Sequence, residues 1–118
     1  MRARFHQTPE QFLVAAHAYM ASDPLSSNVV AVFAQRVVTG TRPRHEGSLW
    51  ATVEDEPGQV VGLAIHTPPH PLFLTLMPAS AATVLAGALA EIGCDIRGVN
   101  GACDATVPFS EAWSAYTG

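Results

Sequence analysis

The stretch GLAIHTPPHPLFLTLMP, Gly62 to Pro78, decides how the rest of the chain is read. Both flanks have strand composition, and the middle holds Pro68, Pro69 and Pro71 with His66 and His70. Proline has no N–H to give a sheet ladder, so one continuous central strand is excluded. The stretch therefore reads as two antiparallel strands joined through Pro68-Pro69-His70. The first ends near Thr67 and the second covers Leu72 to Met77. His66 and His70 are spaced H-x3-H, but a structural zinc site pairs such histidines with a close Cys-x2–4-Cys knuckle. Cys94 and Cys103 lie outside that spacing, so no metal site is expected and both histidines are read as corner residues.

Working outward, Gln59 to Thr67 is almost wholly apolar, as expected of a strand that is buried on both faces or central. Gly62 inside it marks a bulge or a close approach of another group. Ser48 to Glu54 (SLWATVE) alternates, with Leu49, Ala51 and Val53 on one face, and Asp55-Glu56-Pro57-Gly58 supplies a turn. These two runs make a hairpin.

Upstream the period is helical. Thr8-Pro9-Glu10-Gln11 is a helix start, with Thr8 as cap, Pro9 at the first position and Gln11 as capping-box partner. Asp23-Pro24 repeats the signal and opens a second helix, whose expected apolar face is Leu25, Val29, Val32, Phe33 and Val37. Ala3 to Gln7 is a short edge strand. Downstream, Ser80 is the expected cap of a third helix with Val84, Leu85, Ala88, Leu89 and Ile92 on one stripe, closed by Gly93. Asp95 to Asn100 is a short strand and Asn100-Gly101 a turn. Asp104 or Thr106 then caps a last helix carrying Phe109, Trp113 and Tyr116. The fold class is α/β (α+β) with a mixed sheet, in the order β-α-α-β-β-β-α-β-α, and residues 1–118 form a single domain.

The 118 residues are 48% hydrophobic and only 14% charged, with a net charge of -4, which favours a packed core over disorder. This balance offers no electrostatic footprint for nucleic acid or for an anionic membrane. Arg2, Arg4, Arg42 and Arg44 are read as solvated charge, set against a local basic patch. No apolar run approaches the roughly 20 residues of a membrane span, and no signal peptide is recognised, so a cytoplasmic protein with two free thiols is expected.

This order resembles the GNAT family of N-acetyltransferases: strand, two helices, three antiparallel strands, helix, strand, helix. The stretch EDEPGQVVGLA (Glu54 to Ala64) resembles the family's hairpin, in which an acidic turn leads into a Val-Val-Gly strand. Val99-Asn100 with Ala112, Tyr116 and Gly118 resembles its late strand and helix. TPPHPLFLTLMP, and VNG followed by EAWSAYTG, look like the N-terminal halves of actinobacterial acetyltransferases that carry two such domains in tandem.

The resemblance implies acetyl-CoA as cofactor, bound by backbone groups around Leu74, Thr75, Leu76 and Met77, with Ser80 and Asn100 nearby. It implies Tyr116 as the acid that protonates the departing thiolate. Glu54, within Glu54-Asp55-Glu56, is the candidate general base for an amine, set against solvated turn charge. His17 is either a cleft or a surface histidine. Two departures stand out. The family's Q/R-x-x-G-x-G/A pyrophosphate loop is replaced by Met77-Pro78-Ala79-Ser80-Ala81-Ala82, with no glycine and no basic residue. The family's closing hairpin is also missing, so the last strand is expected to have a free edge. The resemblance thus implies a non-catalytic N-terminal half whose sheet edge is covered by a C-terminal GNAT domain. The alternatives are an active acetyl-CoA-dependent enzyme with an atypical loop, or an interaction module whose edge is covered by a homodimer partner.

Overall fold

A computed structural model describes residues 1–43 and 47–118, so Arg44 lies outside the described residues. Five strands and four helices follow one another as β1 (Arg2–His6), α1 (Pro9–Ser22), α2 (Pro24–Val38), β2 (Leu49–Glu54), β3 (Val60–His66), β4 (Leu72–Leu74), α3 (Ala79–Glu91), β5 (Val99–Gly101) and α4 (Cys103–Thr117). This is the order expected from the sequence. The sheet runs β1-β2-β3-β4-β5. Its first three pairings are antiparallel and β4–β5 is parallel. No helix among the described residues is long and apolar enough to cross a membrane.

Each sheet face carries its own core. On one face, α1 and α2 bury Phe12, Ala16, Val30 and Val37 against Trp50, Leu63 and Ile65. On the other, α3 and α4 bury Leu85, Leu89 and Phe109 against Ala51, Val53, Ala64, Leu72 and Leu74. Alternation along β3 sends Leu63 and Ile65 one way and Ala64 the other. That two-sided burial is why β3 reads as an unbroken apolar run.

The capping signals set the helix starts. Thr8 Oγ1 accepts from Gln11 N–H at 3.1 Å, and Asp23 Oδ1 accepts from Ser26 N–H at 3.2 Å. The Gln11 side chain reaches back as a capping box does, but it accepts from Gln7 N–H at 3.2 Å, one residue before the cap. At the Pro-rich corner the Pro68–Pro69 bond is cis, and His70 N–H donates to Thr67 C=O at 3.0 Å. At Gly62 both expected features occur. Val53 faces Gly62 and Glu54 faces Val60, which leaves Val61 as an extra residue. A Cβ on Gly62 would lie 2.7 Å from Met77 Cβ.

Several boundaries and faces differ from expectation. The buried face of α2 is Ser27, Val30, Ala34 and Val37, while Val29 and Val32 are exposed and Leu25 is 93% exposed. Small Ser27 takes the core position because its hydroxyl donates to Asp23 C=O at 2.7 Å. Ile92 is exposed at the end of α3. The strand expected over Leu72 to Met77 stops at Leu74, because the Thr75 hydroxyl takes the next ladder position: Leu63 N–H donates to Thr75 Oγ1 at 2.9 Å. Ser80 does not cap α3, whose N-cap is Pro78 with no side-chain bond. Neither Asp104 nor Thr106 caps α4, which starts after Ala102 without a side-chain cap.

Asn100-Gly101 is part of β5 rather than a turn. Asn100 stands opposite Phe73, and Gly101 opposite Leu74. Gly101 has φ +125°, and a Cβ there would lie 2.0 Å from the Leu74 carbonyl oxygen, so the two strands approach this closely only with glycine. Leu72 N–H donates to Gly98 C=O, and Ala102 N–H donates to Leu74 C=O. The even-numbered residues of this segment therefore face β4, and Val99 and Gly101 turn their backbone groups outward. The outward Gly101 N–H is taken by Asn100 Oδ1 at 2.9 Å.

Candidate functional site at the end of the fourth strand

The end of β4 meets the start of α3 at Leu74 to Ser80, where five of the six expected cofactor residues cluster. Backbone groups of three of them, Leu74, Thr75 and Leu76, are already engaged. Leu74 C=O accepts from Ala102 N–H at 3.3 Å, and Thr75 N–H donates to Leu63 C=O at 3.0 Å. Leu76 N–H donates to Ser26 Oγ at 3.2 Å, and Leu76 C=O accepts from the Tyr19 hydroxyl. Tyr19 and Ser26 thus fasten the first helix pair to the strand end. The Met77 side chain is buried, filling the space that Gly62 leaves open.

The depression beside this strand end is lined by Tyr19, Asp23, Gln59, Val61, Ala79 and Asp104, among others, with no arginine or histidine. Its two charged side chains, Asp23 and Asp104, are carboxylates. A helix N-terminus attracts anions through unpaired N–H groups and its dipole. Two nearby negative charges oppose that attraction. Ser80 is exposed in the first turn of α3.

The other expected residues lie elsewhere. Tyr116 is 58% exposed, and its ring lies across α3 at Gly87, where a Cβ would meet the ring carbon Cζ at 3.1 Å. Gly87 is about 12 Å along the helix axis from Ala79 at 1.5 Å per residue. Asn100 faces a groove between α2 and the sheet, with Val29, Phe33 and Phe73. Glu54 is not solvated turn charge. It is 7% exposed, and its Oε1 lies 3.3 Å from Arg4 Nη1 and 3.8 Å from Arg2 Nε. Those arginines accordingly hold β1 to β2 instead of standing alone in solvent. His17 is on the surface of α1.

His66 and Cys94 form a pair that spacing did not reveal, with Nδ1 3.8 Å from Sγ. Burial lowers the imidazole's affinity for a proton, against the opposing pull of Asp95. Burial also pushes the thiol up, and Asp95 adds to that. The pair is thus held as neutral imidazole and neutral thiol, not as an activated thiolate. His70 stands on the exposed corner, and both cysteines are free. Among the described residues no three His, Cys, Asp or Glu side chains gather as metal ligands.

Sequence reasoning missed Tyr19 and Ser26. Tyr19 was legible only as an aromatic at a core-facing helix position. A buried tyrosine hydroxyl needs a partner, and that requirement is the one signal pointing to it. Comparison with protein-family models, with curated proteins and with solved structures gives no match to this chain.

Proposed function

We propose that this chain is a GNAT-like domain that carries no acetyl transfer of its own and supports an acetyl-CoA-dependent N-acetyltransferase domain packed against it. One observation carries the reading: the backbone groups around Leu76 that the resemblance assigns to acetyl-CoA are occupied by Tyr19 and Ser26. The carboxylates of Asp23 and Asp104 beside the α3 N-terminus support it, as does the placement of Tyr116 over Gly87. The supporting domain would lie along the outer edge of β5. Calorimetric titration of acetyl-CoA into the folded chain tests the proposal. No heat of binding is the expected result, and saturable micromolar binding overturns it in favour of an active enzyme with an atypical loop.

A second reading is a self-pairing interaction module. The exposed Leu25, Val29 and Val32 on α2 and the outer edge of β5 favour it. Sedimentation velocity over a range of concentrations separates the two: a reversible dimer with no affinity for acetyl-CoA supports the module.

A further inference from the structure

At the opposite end of β3 from Leu76, on the α1–α2 side of the sheet, lies a cavity of about 250 Å³. Phe33, Val37, Trp50, Pro68 and Pro69 give it apolar walls, and among the described residues no Asp or Glu lines it.

Among the described residues three hydrogen-bond donors of this lining have no acceptor. Trp50 is 3% exposed and Thr67 is 8% exposed. Among the described residues neither the Trp50 indole N–H nor the Thr67 hydroxyl has a hydrogen-bond partner, and neither atom is sealed from solvent. Both residues line this cavity. Both donors are open to solvent, so water or an acceptor group of a ligand can reach them. The third donor is the Arg42 guanidinium, held over the Phe33 ring at 4.9 Å from its centroid. Among the described residues Arg42 has no carboxylate partner.

We propose that this cavity is a binding site for a small aromatic carboxylate, its ring against Trp50 and the Pro68-Pro69 corner and its carboxylate on Arg42, the Trp50 N–H and the Thr67 hydroxyl. Apolar walls with a few convergent polar groups are the general pattern of small-molecule sites. A guanidinium with neutral N–H and O–H donors, and no acid among the described lining residues, favours an anion over a cation. The site is separate from the strand end occupied by Tyr19 and Ser26, and it stands whether or not the chain supports an acetyltransferase.

The test uses the full chain labelled with nitrogen-15. The two tryptophans give two indole N–H signals, and Trp113 lies on the other sheet face, stacked on Phe109. Titration with sodium benzoate is expected to shift the Trp50 signal saturably and leave Trp113 in place, while methyl benzoate produces no saturable shift. Arg42→Gln alters an exposed side chain, and the remaining amide spectrum verifies its fold. It is expected to weaken benzoate binding about tenfold, the loss of one charge-assisted hydrogen bond. Thr67→Val is expected to weaken it less. An unmoved Trp50 signal at millimolar benzoate overturns the proposal. So does equal binding of the methyl ester, or an Arg42→Gln variant that binds as tightly as the parent.

Discussion

The hydroxyl of Tyr19, in the last turn of the first helix, donates to the carbonyl of Leu76, 57 residues further along the chain. With Ser26 accepting from the same residue's N–H, the strand end is tied to α1 and α2 through side chains rather than through the ladder. Removing either hydroxyl tests how much of the fold depends on that tie. Tyr19→Phe leaves a half-buried carbonyl without its donor and is expected to cost about 1–2 kcal/mol, read from urea midpoints. Ser26→Ala is expected to cost less than about 1 kcal/mol, because water can replace the exposed bond. A silent Tyr19→Phe variant would show that the tie contributes nothing to stability.

Gly101 and Gly98 flank the same edge strand and differ in what a methyl group meets. At Gly101 it meets the Leu74 carbonyl oxygen at 2.0 Å with φ +125°, and at Gly98 it meets Pro71 at an ordinary 3.6 Å. Gly101→Ala is expected to destabilise by roughly 3 kcal/mol or more, and Gly98→Ala by less than about 1 kcal/mol. Thermal midpoints of the two variants check this, and equal losses would refute the close approach.

His66 gives stability a pH dependence of known sign. Burial holds its folded pKa below the ordinary value, against the pull of Asp95. The unfolded chain therefore takes up the proton first as pH falls. The stability is present above about pH 6.5 and is lost as pH drops from there toward the lowered folded value. His6 acts in the same direction, through burial first and Arg4 second, with Glu54 opposing. Urea unfolding at about pH 7.5 and about pH 5.5 should show the parent losing more stability on acidification than a His6→Gln, His66→Gln variant.

The two thiols are expected to react at different rates. Cys94 is half-buried beside His66, with its pKa pushed up by burial and by Asp95, whereas Cys103 is exposed at the start of α4. Near pH 8 iodoacetamide should modify Cys103 roughly ten times faster than Cys94, because only the thiolate reacts. Mass spectrometry of the modified peptides reads the ratio. Faster reaction at Cys94 would mean that His66 draws its proton away.

Most of the architecture was legible because it rests on short-range chemistry. Thr8-Pro9 and Asp23-Pro24 start helices by local capping, and three prolines forbid a central strand wherever they stand. The buried face of α2 was not legible, because Leu25, Val29, Val30, Val32, Phe33 and Val37 surround the helix with apolar choices. The sheet contacts decide among them. The end of β4 and the pairing of Gly101 depend on Leu63 and Leu74, residues distant in sequence. The site was less legible still. Leu74 to Met77 do meet at the end of one strand, but nothing in their own types signals that Tyr19 and Ser26 occupy Leu76. Nor does any local pattern place the donors of Arg42, Trp50 and Thr67 in one cavity.

Asn100 gives the edge strand a built-in guard. Its carboxamide folds over the Gly101 N–H, the donor that an approaching chain would need first. An incoming strand must evict that side chain before it can zip on, so casual sticking between molecules is disfavoured while a partner supplying enough contact can still displace it. An Asn100→Ala substitution would remove the guard and leave the Gly101 N–H open to an incoming strand.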